Sequence, residues 1–258
     1  MNVVDSVVEL AGRVAVRAAL AASSLATGRL FWVQAALGRN QLAMHDCTPD
    51  GRISIGGVSE QLYGEGFIAA WHEAIGRAVG PRRLKEVLYE AGARGAEWEV
   101  GEALRHGTWV PALLRPFVGT PELLVRARES AAFRALARET FRIFLRMIVT
   151  EGGWGVVEDL DLAADPIVLR CRNTPEPRRL GPSREPACLL FAGICAGYFR
   201  RLVGVDCEVR ERECEAQGHE ACVFEVSVVD AARLASSGRA AAADRASVAR
   251  DADLAKTV

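Results

Sequence analysis

Hydrophobic residues in this chain repeat with a helical period before residue 153 and alternate with polar ones after it. The helical part predicts helices over residues 58–79 and 81–105, separated by a Gly-Pro pair, and a third helix over residues 120–150. The hydroxyl of Thr120 is predicted to cap the third helix, because a proline and an acidic residue follow it. Each helix is expected to turn one apolar face toward a common core.

The alternating part predicts four strands, at residues 154–162, 167–171, 205–214 and 222–228. A helix is predicted over residues 187–202, between the two pairs of strands. The proline-rich segment 173–186 is predicted to be a loop. Nearer the start of the chain, a turn at Pro49-Asp50-Gly51 precedes a short strand that contains Ile53 and Ile55.

The chain is expected to contain one domain with an extension at each side. Residues 1–50 form an N-terminal helical extension, residues 51–229 form the domain, and residues 230–258 form an Ala-rich flexible tail with almost no large apolar side chains. The extension has three candidate roles, which are packing on its own domain, dimerisation and binding to a membrane surface.

Composition narrows the class of protein. The 258 residues are 50% hydrophobic, enough to bury a full core, and the net charge of −1 gives no basic surface for nucleic acid. The longest early apolar run, residues 18–27, is much shorter than a membrane span. We therefore expect a cytoplasmic protein that has no membrane span and binds no nucleic acid.

Cysteines supply the candidate chemistry. The chain has 7 cysteines, an odd number that indicates thiols or metal ligands before disulfides in a reducing compartment. Cys188, Cys214 and Cys222, together with Glu211, predict a Zn²⁺ site, because thiolate is the soft ligand that zinc prefers and four ligands close its tetrahedron. Cys188 lies at a predicted helix start, where the helix dipole is expected to lower its pKa.

The spacing of these ligands has a structural consequence. Glu211 and Cys214 are an odd number of residues apart, so in a regular strand their side chains would point to opposite faces. A β-bulge or an early strand end is required for both to bind one ion. Three alternatives remain open, namely a disulfide between Cys214 and Cys222, buried inert cysteines, and a catalytic zinc with an open coordination position.

Several short motifs occur in one order between residues 53 and 228: Leu88-Tyr89-Glu90-Ala91-Gly92, Gly153-Trp154-Gly155, Cys188 with Ala192-Gly193 and Ala196-Gly197-Tyr198, and Glu211-x-x-Cys214-x-x-x-Gly218-His219-x-x-Cys222-x-Phe224. Together they resemble the 4-vinyl reductase domain family. The resemblance implies an α+β fold with helices packed on an antiparallel sheet, related to vesicle-tethering subunits and haem-based nitric oxide sensors. It also implies a small-molecule-binding domain with a structural zinc held by Cys188, Glu211, Cys214 and Cys222.

A ligand cavity would need aromatic walls and a few polar anchors. We predict that Trp154, Tyr198, Trp71 and Phe144 contact the ligand, although core packing is the commoner role of such side chains. The histidines His72 and His106 are candidate polar anchors or haem ligands. We expect them instead to be exposed or capping, because charged residues surround them on their helices. The imidazole of His219 is expected to orient the metal turn.

No nucleophile elbow, phosphate loop or nicotinamide fingerprint is present, so catalytic residues are not predicted and the protein is not expected to be an enzyme. The leading hypothesis is a homodimeric, zinc-stabilised domain that senses or carries a small hydrophobic or aromatic molecule. One alternative is a protein of tetrapyrrole or bacteriochlorophyll biosynthesis that acts on or delivers a vinyl-bearing pigment. Another is a protein-interaction module whose N-terminal extension docks on a partner.

Overall fold

The computed structural model of the chain describes residues 12–15, 17–19, 21–22, 45–47, 49–50, 52–55, 58–60, 64–106, 115–146, 149, 153–162 and 164–229. Its described residues between 12 and 22 are helical, as the hydrophobic pattern predicts. Residues 1–11, 16, 20, 23–44 and 48 of the N-terminal extension and residues 230–258 of the Ala-rich tail lie outside the described residues.

A small antiparallel sheet precedes the helices, with strands β1 (His45–Cys47), β2 (Ile53–Ile55) and β3 (Val58–Glu60) in that order. The turn between β1 and β2 includes residues 49–50, where the Pro-Asp-Gly signal predicts one. The predicted helix start at residue 58 is wrong, because pairing of β3 with β2 holds this segment extended.

The longest helix, α1 (Gly66–His106), is interrupted at Gly80, where φ is 78° and ψ is 163°. Only glycine adopts this conformation readily, and proline at the next position restarts a helix without needing a hydrogen-bonded N–H. The predicted break between two helical halves is therefore confirmed, and it lies at the predicted residue.

The predicted third helix is two helices, α2 (Glu122–Glu129) and α3 (Ala131–Leu145). Ser130 separates them because its backbone is extended and its Oγ accepts a hydrogen bond from the Phe133 N–H at 3.2 Å, which caps α3. The predicted cap at Thr120 is wrong, since that hydroxyl donates to the Phe117 carbonyl oxygen at 2.8 Å.

The main sheet contains four antiparallel strands in the order β4-β5-β7-β6. Along the chain these are β4 (Val156–Asp161), β5 (Ile167–Arg172), β6 (Cys207–Glu213) and β7 (Cys222–Val228). Two helices follow β5, a short α4 (Pro175–Leu180) and the longer α5 (Leu189–Val203). The predicted strands are confirmed, whereas the predicted loop at 173–186 contains α4.

The core lies between the main sheet and the helices, with α5 packed on both β6 and α1. Small residues let the backbones of α1 and α5 approach closely, and a Cβ added at Gly193 would overlap the Tyr89 carbonyl oxygen. One face of the sheet is buried through Leu169, Phe224 and Val226, while the other face carries charged side chains. The predicted α+β class, with helices on an antiparallel sheet, is confirmed.

Among the described residues, Arg17 of the N-terminal extension forms an ion pair with the domain. Arg17 Nε donates to Glu139 Oε1 on α3 at 2.7 Å, and Arg142 reaches the same carboxylate at 2.9 Å. Burial acts to raise the pKa of Glu139, but its bonds to Arg142 and Arg17 lower it below the ordinary value. This pair ties the extension to α3 of the same chain.

Candidate metal centre

Four side chains with metal-binding atoms meet at one buried point, at the junction of α5 with the β6–β7 hairpin. Cys188 precedes α5, Glu211 lies on β6, Cys214 follows β6, and Cys222 begins β7. Their ligand atoms all lie within 4.8 Å of one another and are buried. We call these four residues the metal cluster, and it is the set of ligands predicted from the sequence.

The end of β6 shows how the side chains of Glu211 and Cys214 reach the same point. The pairing of β6 with β7 shifts between Glu211 and Glu213, and the strand ends at Glu213, one residue before Cys214. A bulge moves the residues after it to the other face of the strand. The odd spacing of Glu211 and Cys214 predicts a β-bulge or an early strand end, and both features are present.

The β6–β7 connection closes tightly around the cluster. A 3₁₀ turn, Glu215–Gln217, follows Cys214, and Gly218 ends it with φ of 89°. The N–H of Gln217 donates to the Cys214 carbonyl oxygen at 2.9 Å, and the His219 N–H donates to it at 3.3 Å. His219 therefore supports the turn through its backbone, while its side chain is exposed.

Backbone donors are directed at two of the sulfurs. The Ala187 N–H donates to Cys214 Sγ at 3.4 Å, and the Glu215 N–H donates to Cys222 Sγ at 3.4 Å. The sulfurs of Cys188 and Cys222 are 3.5 Å apart. Such N–H groups stabilise negative charge on sulfur, so the surroundings suit thiolate ligands.

Among the described residues, only one of the two carboxylate oxygens of Glu211 has a hydrogen-bond donor. Its Oε2 accepts the Cys188 N–H at 2.9 Å, whereas its buried Oε1 has no hydrogen-bond partner in the part of the chain that the structure describes. Burial raises the pKa of Glu211 to about 8. A buried carboxylate oxygen without a donor, facing three sulfurs, fits a cation as its missing partner.

Burial and the neighbouring thiols shift the pKa values of the cysteines in the cluster. Burial, with Cys214 and Cys222 as neighbours, raises the pKa of Cys188 well above its ordinary value. The expected lowering of the pKa of Cys188 by the helix terminus is wrong, because burial and the neighbouring thiols outweigh it. Hydrogen bonds from Cys188 and Cys222 lower the pKa of Cys214.

The donor set fits a divalent metal ion. Thiolates and carboxylates are ligands that zinc binds in closed four-coordinate sites. The three cysteines would supply three positions, and the Glu211 oxygen that has no hydrogen-bond donor among the described residues would supply the fourth. The three cysteines are free thiols, and the sulfur of Cys214 accepts an N–H bond, as metal-bound thiolates do.

Of the four predicted ligand-contacting residues, two lie together. The rings of Phe144 and Tyr198 are 6.3 Å apart in an edge-to-face arrangement, and Tyr198 Oη donates to Glu99 Oε2 at 2.7 Å. Trp154 stacks on Phe191 with ring centroids 6.1 Å apart. These three aromatic residues therefore pack into or against the core.

The fourth predicted residue, Trp71, lies on the first half of α1 and is 41% exposed beside Phe67. At the next position along the helix, His72 is buried, and its Nε2 is 2.9 Å from Glu176 Oε1. The prediction of an exposed or capping His72 is wrong, because α4 covers this face of α1 and brings a carboxylate to it.

Sequence reasoning missed three residues around the cluster, Thr174, Glu176 and Glu215. The carboxylate of Glu176 is fully buried and accepts the N–H groups of Leu190 and Phe191 at 2.9 and 3.0 Å, which caps α5. The sequence contained one signal for a helix start at this place. Thr174 begins the same Thr-Pro-Glu tripeptide that indicates a helix start at residue 120.

Comparisons with known proteins agree with this fold. Residues 167–228 match the model of the V4R domain family, which confirms the resemblance that the sequence motifs indicate. The chain is similar to the phenol-responsive sensory domain of the transcription activator PoxR, solved with phenol, with a TM-score of 0.50 and 16% identity over 74% of this chain and 88% of that chain.

A second solved structure is a vinyl-4-reductase family protein from Methanocaldococcus jannaschii. It has a TM-score of 0.40 and 19% identity, over 66% of this chain and 85% of that chain. No curated protein sequence matches the chain. Among the described helices, none is long and apolar enough to cross a membrane.

Proposed function

We propose that this chain is a sensory or carrier domain for a small hydrophobic or aromatic molecule, and that a zinc ion at the metal cluster stabilises its fold. The observation that carries the zinc part is the unpartnered Oε1 of Glu211, buried among three sulfurs. The V4R match over residues 167–228, which contain the whole cluster, supports the sensory part.

The zinc has a structural role in this proposal. Four protein ligands leave no open position for a substrate or water, so a closed site stabilises the fold and does not catalyse. The cluster joins the start of α5 to the β6–β7 hairpin, two elements that are separate along the chain. When bound, the ion neutralises part of the charge that three thiolates and Glu211 concentrate in the core.

The proposed ligand is an aromatic or similarly apolar molecule. Phe144 and Tyr198 offer aromatic surface, and the hydrogen bond from Tyr198 to Glu99 places a polar pair beside it. The solved PoxR sensory domain, which has a similar fold, is phenol-responsive. Trp154 and Trp71 remain predicted contacts, and the homodimer remains a prediction that sedimentation equilibrium tests.

Metal analysis of the purified full chain tests the first part. We expect about one zinc per chain, retained through gel filtration, as a structural site of this donor set holds its ion tightly. A folded chain without stoichiometric metal would contradict the zinc proposal. A tetrapyrrole that co-purifies with the chain would instead favour pigment binding.

Thermal melting with phenol and with cyclohexanol tests the second part. We expect phenol to raise the melting temperature more than cyclohexanol, and Phe144→Leu to reduce that rise. Phe117→Leu is the matched control, because Phe117 also makes an edge-to-face contact, 5.1 Å from Phe133, outside the predicted set. Equal shifts with both compounds, or equal loss in both variants, would contradict an aromatic site at Phe144.

A further inference from the structure

We infer that Thr174 is a positioning residue of the metal cluster, whose hydroxyl donates a hydrogen bond to the Cys188 sulfur while Glu215 fixes its place. This inference rests on the proposed function, because it assigns a donor to a sulfur of the proposed zinc site. It identifies two residues outside the four ligands that set the affinity of the site.

Thr174 lies between two of the sulfurs. The residue is fully buried, and its Oγ1 is 3.3 Å from Cys188 Sγ and 3.2 Å from Cys222 Sγ. It ends the connection from β5 and precedes α4, so it comes from a part of the chain distant from the β6–β7 hairpin. A hydroxyl at this place has both sulfurs within hydrogen-bonding distance.

The three sulfurs differ in their backbone hydrogen-bond donors. Cys214 accepts the Ala187 N–H, and Cys222 accepts the Glu215 N–H. The N–H of Cys188 is directed at Glu211. Apart from thiols, the hydroxyl of Thr174 is the one potential donor within hydrogen-bonding distance of the Cys188 sulfur among the described residues. With it, each sulfur has one such donor.

Glu215 holds this hydroxyl in place. Its Oε1 accepts the Asn173 N–H at 2.9 Å, and its Oε2 accepts the Thr174 N–H at 3.1 Å. The Thr174 hydroxyl is also placed to donate to Oε2, at 3.1 Å. A hydroxyl has one proton and donates to one acceptor at a time. Glu215 Oε2 and the two sulfurs are thus alternative acceptors for the proton of Thr174. We assign the proton to the Cys188 sulfur, because Oε2 already accepts the Thr174 N–H whereas that sulfur has no backbone N–H donor among the described residues.

The hydrogen bond from Thr174 to the Cys188 sulfur is expected to affect metal affinity because the site carries a large negative charge. Three thiolates and one carboxylate around a divalent ion leave a net charge of about −2 in a buried place. Each donor to sulfur delocalises part of that charge, and loss of such an outer contact typically weakens metal affinity by about 10- to 100-fold. Thr174 therefore contributes to metal affinity without touching the ion.

Two substitutions separate the hydroxyl from the shape of the side chain. Thr174→Val replaces the hydroxyl by a methyl group at nearly equal volume, whereas Thr174→Ser keeps the hydroxyl. Zinc affinity of each full-length variant is measured by competition with a chromophoric chelator. We expect Thr174→Val to bind zinc about 10- to 100-fold more weakly than the wild type and Thr174→Ser to retain most of the affinity.

Cobalt provides a readout that a purely structural role would not change. In Co²⁺-loaded protein the thiolate-to-cobalt charge-transfer band reports the electron density on sulfur. Loss of the hydrogen bond is expected to move this band to lower energy in Thr174→Val and to leave it in place in Thr174→Ser. If the valine variant does not fold, Thr174→Ala removes the same hydroxyl without placing a methyl group against the sulfurs.

The outcomes distinguish this inference from the proposed function. A wild-type chain that binds no zinc overturns both. A wild-type chain that binds zinc, with a hydroxyl-free variant that binds it equally well and shows an unchanged cobalt band, overturns the role of Thr174 alone. Weaker zinc binding and a shifted band in the hydroxyl-free variant, restored by serine, support it.

Discussion

Individual residues of the metal cluster could be predicted from the sequence because their type and spacing carry the chemistry. Three cysteines and a glutamate at this spacing predict a metal site, and the odd interval from Glu211 to Cys214 predicts a β-bulge or an early strand end, both of which are observed. Thr174 and Glu215 could not be predicted in the same way. Their contact joins residues 41 positions apart, and each residue type is common on a protein surface.

Glu99 shows how one buried acid makes stability depend on pH. Burial raises its pKa above the ordinary value of 4.5, and the hydrogen bond from Tyr198 opposes this rise only in part. The folded state therefore favours the protonated acid. Stability from Glu99 is present below pH 4.5 and is lost as the pH rises through the range between the unfolded and folded pKa values.

The variant Glu99→Gln tests this prediction, since glutamine resembles the protonated acid and its carbonyl oxygen still accepts from Tyr198. Urea unfolding of both proteins between pH 4 and 8 is expected to show the wild type losing stability relative to the variant as the pH rises. Glu90→Gln, on an exposed part of the same helix, controls for loss of a charge. A difference between wild type and Glu99→Gln that stays constant with pH would contradict the assignment.

At the scale of elements, the long helices and the main strands follow from the hydrophobic pattern, and the errors fall where short local contacts override it. Ser130 divides one apolar helical pattern through its side-chain cap. Helix α4 occupies a segment that its prolines indicate as loop, because proline suits a first helical turn as well as a loop. Strand β3 is set by pairing with β2, which periodicity alone does not detect.

Helix α4 is held against α1 and α5 by Glu176, so removing this carboxylate is expected to be costly. Glu176→Ala leaves the buried N–H groups of Leu190 and Phe191 and the ring of His72 without their partner. Each unsatisfied buried donor costs about 1–3 kcal/mol, so we expect a loss of about 2–5 kcal/mol in the free energy of unfolding.

Urea denaturation of the zinc-loaded protein measures this loss. Glu185→Ala is the control, because Glu185 forms an exposed ion pair with Lys85, and exposed pairs contribute about 0–1 kcal/mol. If both variants unfolded at the same urea concentration, the carboxylate of Glu176 would not be the cap of α5.

The contact of α1 with α5 depends on glycine for steric reasons. A Cβ at Gly193 would overlap the carbonyl oxygen of Tyr89, whereas a Cβ at Gly95 on α1 meets nothing within 4 Å. We expect Gly193→Ala to lose at least the ~1–3 kcal/mol typical of overpacking. Gly95→Ala is expected to be neutral or to gain about 0.5–1 kcal/mol, as alanine favours helices.

Thermal and urea unfolding of this pair of variants provides a matched test, because both make the same chemical change within a helix. A stability loss in both variants would indicate a general intolerance of alanine in these helices. Equal stability in both would show that the two helices separate at little cost.

For the whole molecule, the metal cluster links the sheet to the helices, so its occupancy is expected to control global stability. The cluster lies within the hydrophobic core that also contains Phe191 and Phe224. An ion that binds only the folded chain stabilises it by about 4 kcal/mol when its free concentration is 1,000 times its dissociation constant. Removal of zinc by a chelator should therefore lower the melting temperature by several degrees.

Cys214→Ser tests this coupling directly. The variant is expected to lose zinc, to melt at a lower temperature and to be insensitive to added zinc or chelator, because one thiolate of the site is gone. Cys207→Ala is the matched control, since Cys207 is equally buried but lies outside the cluster, with its sulfur directed at the Val205 carbonyl oxygen. Its melting temperature should still fall on chelation. A wild-type melting curve unchanged by chelation would show that the sheet and the helices are held together by packing alone. A zinc response that survives in Cys214→Ser would show that the stabilising ion does not depend on Cys214.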